Sequence, residues 1–274
     1  MSDLKALALQ LKSYEGKDKL LSSETAKKIE DAKPSPDKMF TSDFVALDNM
    51  VEGGICPGEL VVVSGLPKEG KTTMTQSMAT NFCLEGDKCL FFSFEMPTRQ
   101  FLGNWKTLPK GLYVPGDYPH VKDKVDWIRQ RVIEGKVKDG LDVVFIDHLH
   151  YILNDGQFDS NSIGVVVRRL KRLAMECKVA IVLICHITKV PLDRRPEIND
   201  IRDSGMIAAE ADLVIMIWRR KKKNNDGEYD YTNEGRLSVV ANRRTGLVGH
   251  FTIRMIDGFF KEDRAALKEY WEKS

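Results

Sequence analysis

From Phe40 onward the chain alternates short apolar-rich runs with longer stretches in which apolar residues recur every three or four positions. The runs cover 60–64, 88–94, 141–146, 179–184 and 212–218. They are rich in Val, Ile, Leu and Phe and lack strict polar alternation, the pattern of strands buried on both faces. The periodic stretches 72–84, 121–137 and 163–177 predict helices between them. Strands separated by helices of this length predict a doubly wound, mainly parallel α/β sheet.

Past Asp212 the helical period gives way to turn chemistry. Asn225-Asp226-Gly227 is a turn signal between 215–218 and 237–240, and Asp257-Gly258 turns 251–256 back toward Phe259-Phe260. An antiparallel flank on the C-terminal side is therefore expected. At the other end Leu4, Leu7, Leu11 and Tyr14 form one stripe of a short amphipathic helix. The charged segment 13–38, with Pro34 and Pro36 and no core pattern, reads as a linker. The expected organisation is a helix and linker over 1–39, one α/β domain over 40–261 and a helical tail over 262–274.

Composition narrows the partners. A chain of 274 residues is long enough for one such domain, and 42 Lys plus Arg against 40 Asp plus Glu leave a net charge of +2. That balance carries no global footprint for nucleic acid, so any such contact must be local. The five cysteines (Cys56, Cys83, Cys89, Cys177, Cys185) contain no C-x-x-C pair, which favours reduced thiols over disulfides or a zinc site. No run reaches the roughly 18 apolar residues of a bilayer span and no leader-like apolar segment opens the chain, so a soluble, cytoplasmic protein without a membrane partner is expected.

The chemistry begins at Gly65-Leu66-Pro67-Lys68-Glu69-Gly70-Lys71-Thr72, which satisfies G-x-x-x-x-G-K-[ST] after a strand and before a helix. Backbone N–H groups of such a loop converge on phosphates, Lys71 reaches the outer phosphates and Thr72 offers a hydroxyl to Mg²⁺. Gly65, Pro67, Lys68, Glu69, Gly70, Lys71, Thr72 and Thr73 are thus the candidate binding residues for ATP or another nucleoside triphosphate. Asp147 ends an apolar strand and, on the carboxyl edge of a parallel sheet, faces the same crevice, making it the metal-side acid with Thr72. Glu95 follows a second strand, where it can activate an attacking water. His186 ends a third, where a neutral imidazole can contact the γ-phosphate.

The order of these motifs resembles the RecA-like motor domain of DnaB-type replicative helicases, with related phage and mitochondrial ring helicases. The resemblance rests on the phosphate loop, Phe94-Glu95-Met96, Ile146-Asp147-His148-Leu149 and Cys185-His186, followed by Asp200-Ile201-Arg202-Asp203-Ser204-Gly205, Ala211-Asp212-Leu213-Val214, Asn242-Arg243-Arg244-Thr245-Gly246 and Asp257-Gly258-Phe259. It spans about 41–260 and implies a nucleotide-driven helicase in DNA replication, with catalytic positions at Glu95, Lys71, Asp147 and His186. It also implies a hexameric ring with shared active sites, in which Arg243 or Arg244 enters a neighbour's site. The family's lysine two residues before that arginine is Ala241 or Asn242 here. Arg202, Asp203, Ser204 and Gly205 are implied DNA contacts, and Lys189, Arg194 and Arg195 lie on the proline-punctuated loop before them, suited to tracking a single strand. The basic residues of 168–172 read as a solvated helix face, and those of 219–223 as a hairpin approach.

The implied partners are single-stranded DNA, a forked duplex, further copies of the chain, and a separate primase or loader. Two rival readings fit the same residues: a RecA/KaiC/RadA-like DNA-binding ATPase without unwinding, and a nucleotide-bound assembly protein with slow turnover.

Overall fold

The computed structural model describes residues 7, 10–12, 15–16, 19–32, 38–153, 160–187, 200, 204–226 and 229–263. The chain divides into two compact units, Met1–Asp37 and Lys38–Ser274. In the first, Leu7 and Leu11 are exposed, whereas Leu4 and Tyr14 lie outside the described residues. The segment expected to be a linker instead contains a helix, α1 (Ser23–Asp31). Its cause is local. The Thr25 N–H donates to Ser22 Oγ at 3.2 Å, Glu24 stands in the first turn, and Lys27 pairs with Asp31 at 3.0 Å one turn on.

The second unit contains, in order, α2 (Val45–Met50), β1 (Leu60–Gly65), α3 (Lys71–Leu84), β2 (Cys89–Ser93), α4 (Thr98–Leu102), β3 (Leu112–Tyr113), α5 (Lys124–Asp139), β4 (Val143–Asp147), α6 (Leu149–Ile152), α7 (Ser160–Cys177), β5 (Ala180–His186), α8 (Ser204–Glu210), β6 (Leu213–Lys223), β7 (Tyr229–Asn242), β8 (Gly249–Ile256) and β9 (Phe259–Glu262). Among the described residues the strands form one nine-stranded sheet in the order β3-β2-β4-β5-β1-β6-β7-β8-β9. Strands β3 to β6 pair in parallel, and β7, β8 and β9 add antiparallel. The mainly parallel sheet with an antiparallel flank is thus as expected from the pattern of runs and turns.

Both faces of the central strands are buried. Leu60 and Val62 of β1 join one core layer with Leu90, Val144, Ile181 and the α7 stripe Ile163, Val167, Leu170. Val61 and Val63 point to the other layer, with Met74, Met78 and Phe82 of α3 and Phe91 and Phe145 of the neighbouring strands. A strand covered on both sides has no polar face to show, which is why these runs lack alternation. Because β1, β2, β4 and β5 run the same way, their last residues come to one edge. Gly65 is level with His186, and Ser93 with Asp147.

Candidate functional site

The phosphate loop leaves β1 at that carboxyl edge and turns into α3 at Gly70, whose φ of 93° suits glycine. A methyl group at Gly70 would stand 2.9 Å from the Phe260 ring, and one at Gly65 2.6 Å from the Ile217 carbonyl oxygen. Gly70 therefore admits a close neighbour from the antiparallel flank and Gly65 one from β6, as well as a tight turn.

Lys71 is 6% exposed, and its ammonium donates to the Gly65 and Leu66 carbonyls, 3.0 Å each. Burial lowers its pKa to about 8, against the opposing pull of Asp147, Glu95 and Glu69. Thr72 Oγ1 donates to Asp147 Oδ2 at 2.6 Å. Burial also raises Asp147 to about 6, partly offset by the Thr72 hydroxyl, while the charge of Glu95 adds to the rise. Asp147 Oδ1 is buried and accepts no hydrogen bond among the described residues. A carboxylate oxygen left without a donor beside a threonine hydroxyl is a fitting oxygen set for a hard divalent cation such as Mg²⁺.

Two further groups close the crevice. Glu95 is exposed just beyond β2. Its approach is fixed by the Phe94 N–H, which donates to the Asp147 carbonyl at 2.8 Å, and by the packing of Phe94 on Tyr118 and Trp127. His186 Nδ1 is buried and has no hydrogen-bond partner among the described residues. Burial first, and then the charge of Lys71, lowers the His186 pKa to about 4, so the ring is neutral at physiological pH. His148, which the sequence reading did not single out, lies against it edge to face, with ring centroids 4.2 Å apart. Its pKa is lowered to about 3, again mainly by burial. The signal was available, since His148 follows Asp147 directly.

Glu69 is fully buried. It accepts the Arg219 backbone N–H and pairs with Lys221 at 3.1 Å, while Tyr231 Oη donates to the Pro67 carbonyl at 3.4 Å. Arg219 and Lys221, expected as a plain hairpin approach, thus buttress the loop, and both lie 5.0 Å from the Tyr231 ring centre. These contacts join segments about 150 residues apart, and no local pattern announces them.

Arg243 and Arg244 follow β7 and lie elsewhere. Asn242 is level with Leu213, and β6 runs parallel to β1, so the pair sits at the amino edge of the parallel strands. Arg244 donates to the Val51 carbonyl, to Cys56 Sγ and to the Gly54 carbonyl at 2.6 Å, and stands 3.5 Å from Glu59. Arg243 is half exposed and reaches Asp212 at 3.5 Å and the Ala209 carbonyl. Asp212 also receives Lys171 at 2.7 Å and the Leu60 N–H at 2.7 Å. Lys171, expected on a solvated face, is therefore held, and Arg168 and Arg169 pair with Glu210 at 3.0 Å and Asp123 at 2.8 Å. Arg168 and Arg172 remain largely exposed, so this face is both solvated and ion-paired.

Of the expected DNA contacts, Lys189, Arg194, Arg195, Arg202 and Asp203 lie outside the described residues. Ser204 and Gly205, expected in a loop, begin α8 instead, because 204–210 takes up helical hydrogen bonding. Gly205 is exposed, and a methyl group there would meet nothing within 4 Å.

With this geometry in hand, the chain matches the family model described as DnaB-like helicase C terminal domain over residues 40–107 and 117–262. It is 27% identical over 252 residues to the replicative DNA helicase DnaB of Geobacillus stearothermophilus, covering 80% of this chain and 55% of that protein. It is 26% identical over 258 residues to the replicative DNA helicase DnaC of Bacillus subtilis (strain 168), covering 80% and 55%. The chain thus spans about half the length of the curated relatives it matches. Among solved structures, an ATPase domain superposes with a TM-score of 0.69 at 21% identity, covering 87% of this chain and 96% of that one. A DnaB-like replicative helicase, studied with its interactions with primase, superposes at 0.71 and 19%, covering 95% and 71%.

Proposed function

The chain belongs to the DnaB-like helicase C-terminal domain family, and on that footing we propose that it is the motor of a ring-forming replicative DNA helicase, hydrolysing ATP or another nucleoside triphosphate to move along single-stranded DNA and part a fork. The motor is assigned to residues 40–261, with 1–39 as helix and linker to a neighbouring copy and 262–274 as a tail. The observation that carries the reading is the convergence of Lys71, Thr72, Asp147, Glu95 and His186 on one sheet edge beside the phosphate loop.

In this reading the loop from Gly65 to Thr73 binds the triphosphate, and Lys71, now turned onto the Gly65 and Leu66 carbonyls, exchanges them for phosphate oxygens. Thr72 and Asp147 would hold Mg²⁺, which when bound draws charge off the phosphates. Glu95 takes the proton from the attacking water. His186, kept neutral, donates to the γ-phosphate and passes its loss to 188–205, the segment that carries the proposed DNA contacts Lys189, Arg194, Arg195, Arg202, Asp203, Ser204 and Gly205.

Of the two candidate fingers, Arg243 is assigned the role. β1 is six residues long, so the amino edge lies roughly 20 Å from the loop of the same chain. Only another copy's site is within reach, so the assignment implies an oligomer whose copies share sites. Arg244 is committed to its own chain through Val51, Gly54, Cys56 and Glu59, and Arg243 has the freer guanidinium. A cationic finger of this kind is worth ~10³ to 10⁵ in rate.

The deciding experiment is a fork-unwinding assay with DNA-stimulated hydrolysis measured alongside. Strand displacement by the wild-type chain and none by Lys71→Ala supports the reading; hydrolysis without displacement refutes it. A separate primase or loader is proposed as a partner, tested by co-sedimentation with the ring.

A further inference from the structure

Beside the oxygen-only pair Thr72 and Asp147 lies a second donor set of different chemistry. One nitrogen of His148, one nitrogen of His186 and one carboxylate oxygen of Glu95 all lie within 4.8 Å of one another. Three elements supply them: the bend after β2, the residue after β4 and the end of β5. Their position is built into the sheet, because the ends of β2 and β4 are level, Gly65 is level with His186, and the two rings already pack at 4.2 Å. His186 Nδ1 is buried with no hydrogen-bond partner among the described residues, a polar atom the fold leaves unspent. The His150 N–H donates to His148 Nδ1 at 3.3 Å and steadies that ring.

We propose that Glu95, His148 and His186 form a binding site for a transition-metal divalent cation, zinc in particular, distinct from the Thr72–Asp147 pair. Two imidazoles and a carboxylate are a donor set that zinc, cobalt and nickel take readily, whereas Mg²⁺ prefers oxygen and keeps its waters. Ligands about 2 Å from a shared ion stand at most about 4 Å apart, so the set must close by about 1 Å. Glu95 is the exposed member, and its side chain has the freedom to make that movement. The ammonium of Lys71 opposes any cation here, while the carboxylate of Asp147 offsets it.

Metal binding does not depend on the helicase reading; its consequence does. If Glu95 activates water and His186 donates to the γ-phosphate, a zinc ion held by both takes the base and that imidazole nitrogen out of use. The nucleotide cradle, formed by other residues, is left intact. Zinc would then act as a brake on turnover with little effect on nucleotide affinity.

The test uses the full chain without an affinity tag, nucleotide-free and in excess Mg²⁺, titrated with Co²⁺ as a spectroscopic probe. The expected result is one equivalent bound with visible d–d bands of low-symmetry coordination, displaced by zinc, and weakened at least tenfold in both His148→Gln and His186→Gln. Binding unchanged in those variants, or no binding to the wild-type chain, overturns the proposal. A sulfur-to-cobalt charge-transfer band does the same, since it would move the metal to Cys56 or Cys177. Should either variant misfold, X-ray absorption on the zinc-loaded wild-type chain decides: a nitrogen and oxygen shell without sulfur supports the site, and a sulfur shell overturns it. The brake is read separately, as a fall in kcat with KM retained on adding zinc and recovery with a zinc-selective chelator. A chain that binds cobalt as described but never hydrolyses nucleotide overturns the proposed function and leaves the metal site standing.

Discussion

Glu69 Oε1 lies 3.1 Å from Lys221 Nζ, and through that pair the phosphate loop is fastened to β6, the strand at which the sheet turns from parallel to antiparallel. The loop is therefore held at both ends and in the middle: by β1, by α3, and by a fully buried carboxylate that also accepts the Arg219 N–H.

Glu69→Ala should leave a partly buried ammonium and a partly buried N–H without their acceptor. The expected loss is about 2–4 kcal/mol of unfolding free energy, measured by denaturant titration. Adding Lys221→Met removes the orphaned charge, so the double variant should recover part of that loss. Additive losses would show that the pair is not coupled.

The two adjacent arginines should separate cleanly. Arg244→Ala strips partners from the Val51 and Gly54 carbonyls and from Glu59 and should lower stability by about 2–4 kcal/mol. Arg243→Ala, at a half-exposed position, should change stability by less than about 1 kcal/mol yet cut DNA-stimulated hydrolysis ~10³-fold. Mixing Arg243→Ala chains with Lys71→Ala chains should restore some turnover in mixed rings, because each supplies what the other lacks. A stable, fully active Arg243→Ala protein would remove it from the site.

Asp147→Asn should make the ligand-free chain more stable while abolishing hydrolysis. Asp147 has a folded pKa of about 6 against an ordinary 3.8, so the fold favours the protonated form. Its contribution to stability is fully present below 3.8 and is lost as pH rises through 6. At pH 7.5 the charged form thus costs roughly 2–3 kcal/mol, which asparagine avoids while still accepting from Thr72. The gap between variant and wild type in thermal midpoint should be widest above pH 7 and close toward pH 4; a gap independent of pH contradicts the assignment.

Gly65→Ala places a methyl group 2.6 Å from the Ile217 carbonyl oxygen, a backbone atom that cannot swing aside. The strands β1 and β6 must separate locally, at a cost of about 2–4 kcal/mol. Gly205→Ala, where a methyl group meets nothing within 4 Å, should fall within about 0.5 kcal/mol of wild type. Thermal melts of the two proteins make the comparison.

The central strands were legible because burial on both faces writes itself as an apolar run, and their order of motifs placed Lys71, Asp147, Glu95 and His186 together at one edge. The elements that escaped notice lack that signature. β3 is two half-buried residues, and α4 and α6 are too short for a period of 3.6 to register. Helix α1 is exposed and owes its existence to capping and charge pairs, which an apolar pattern does not reveal. The distinction between Arg243 and Arg244 was hidden because the partners of Arg244 lie about 190 residues earlier. Adjacent identical residues at the end of one strand carry no local mark of which is tethered.

The Phe260 N–H donates to Ser77 Oγ at 2.9 Å, and its ring lies against Gly70. The strand that seats the loop's helix is thus among the final stretches of the domain to leave the ribosome. A nascent chain halted before β9 exposes a phosphate loop whose outer wall has yet to be translated. Nucleotide capture is therefore expected only once β9 has been made, and growing chains stalled short of Phe260 should emerge empty from a pull-down on immobilised ATP.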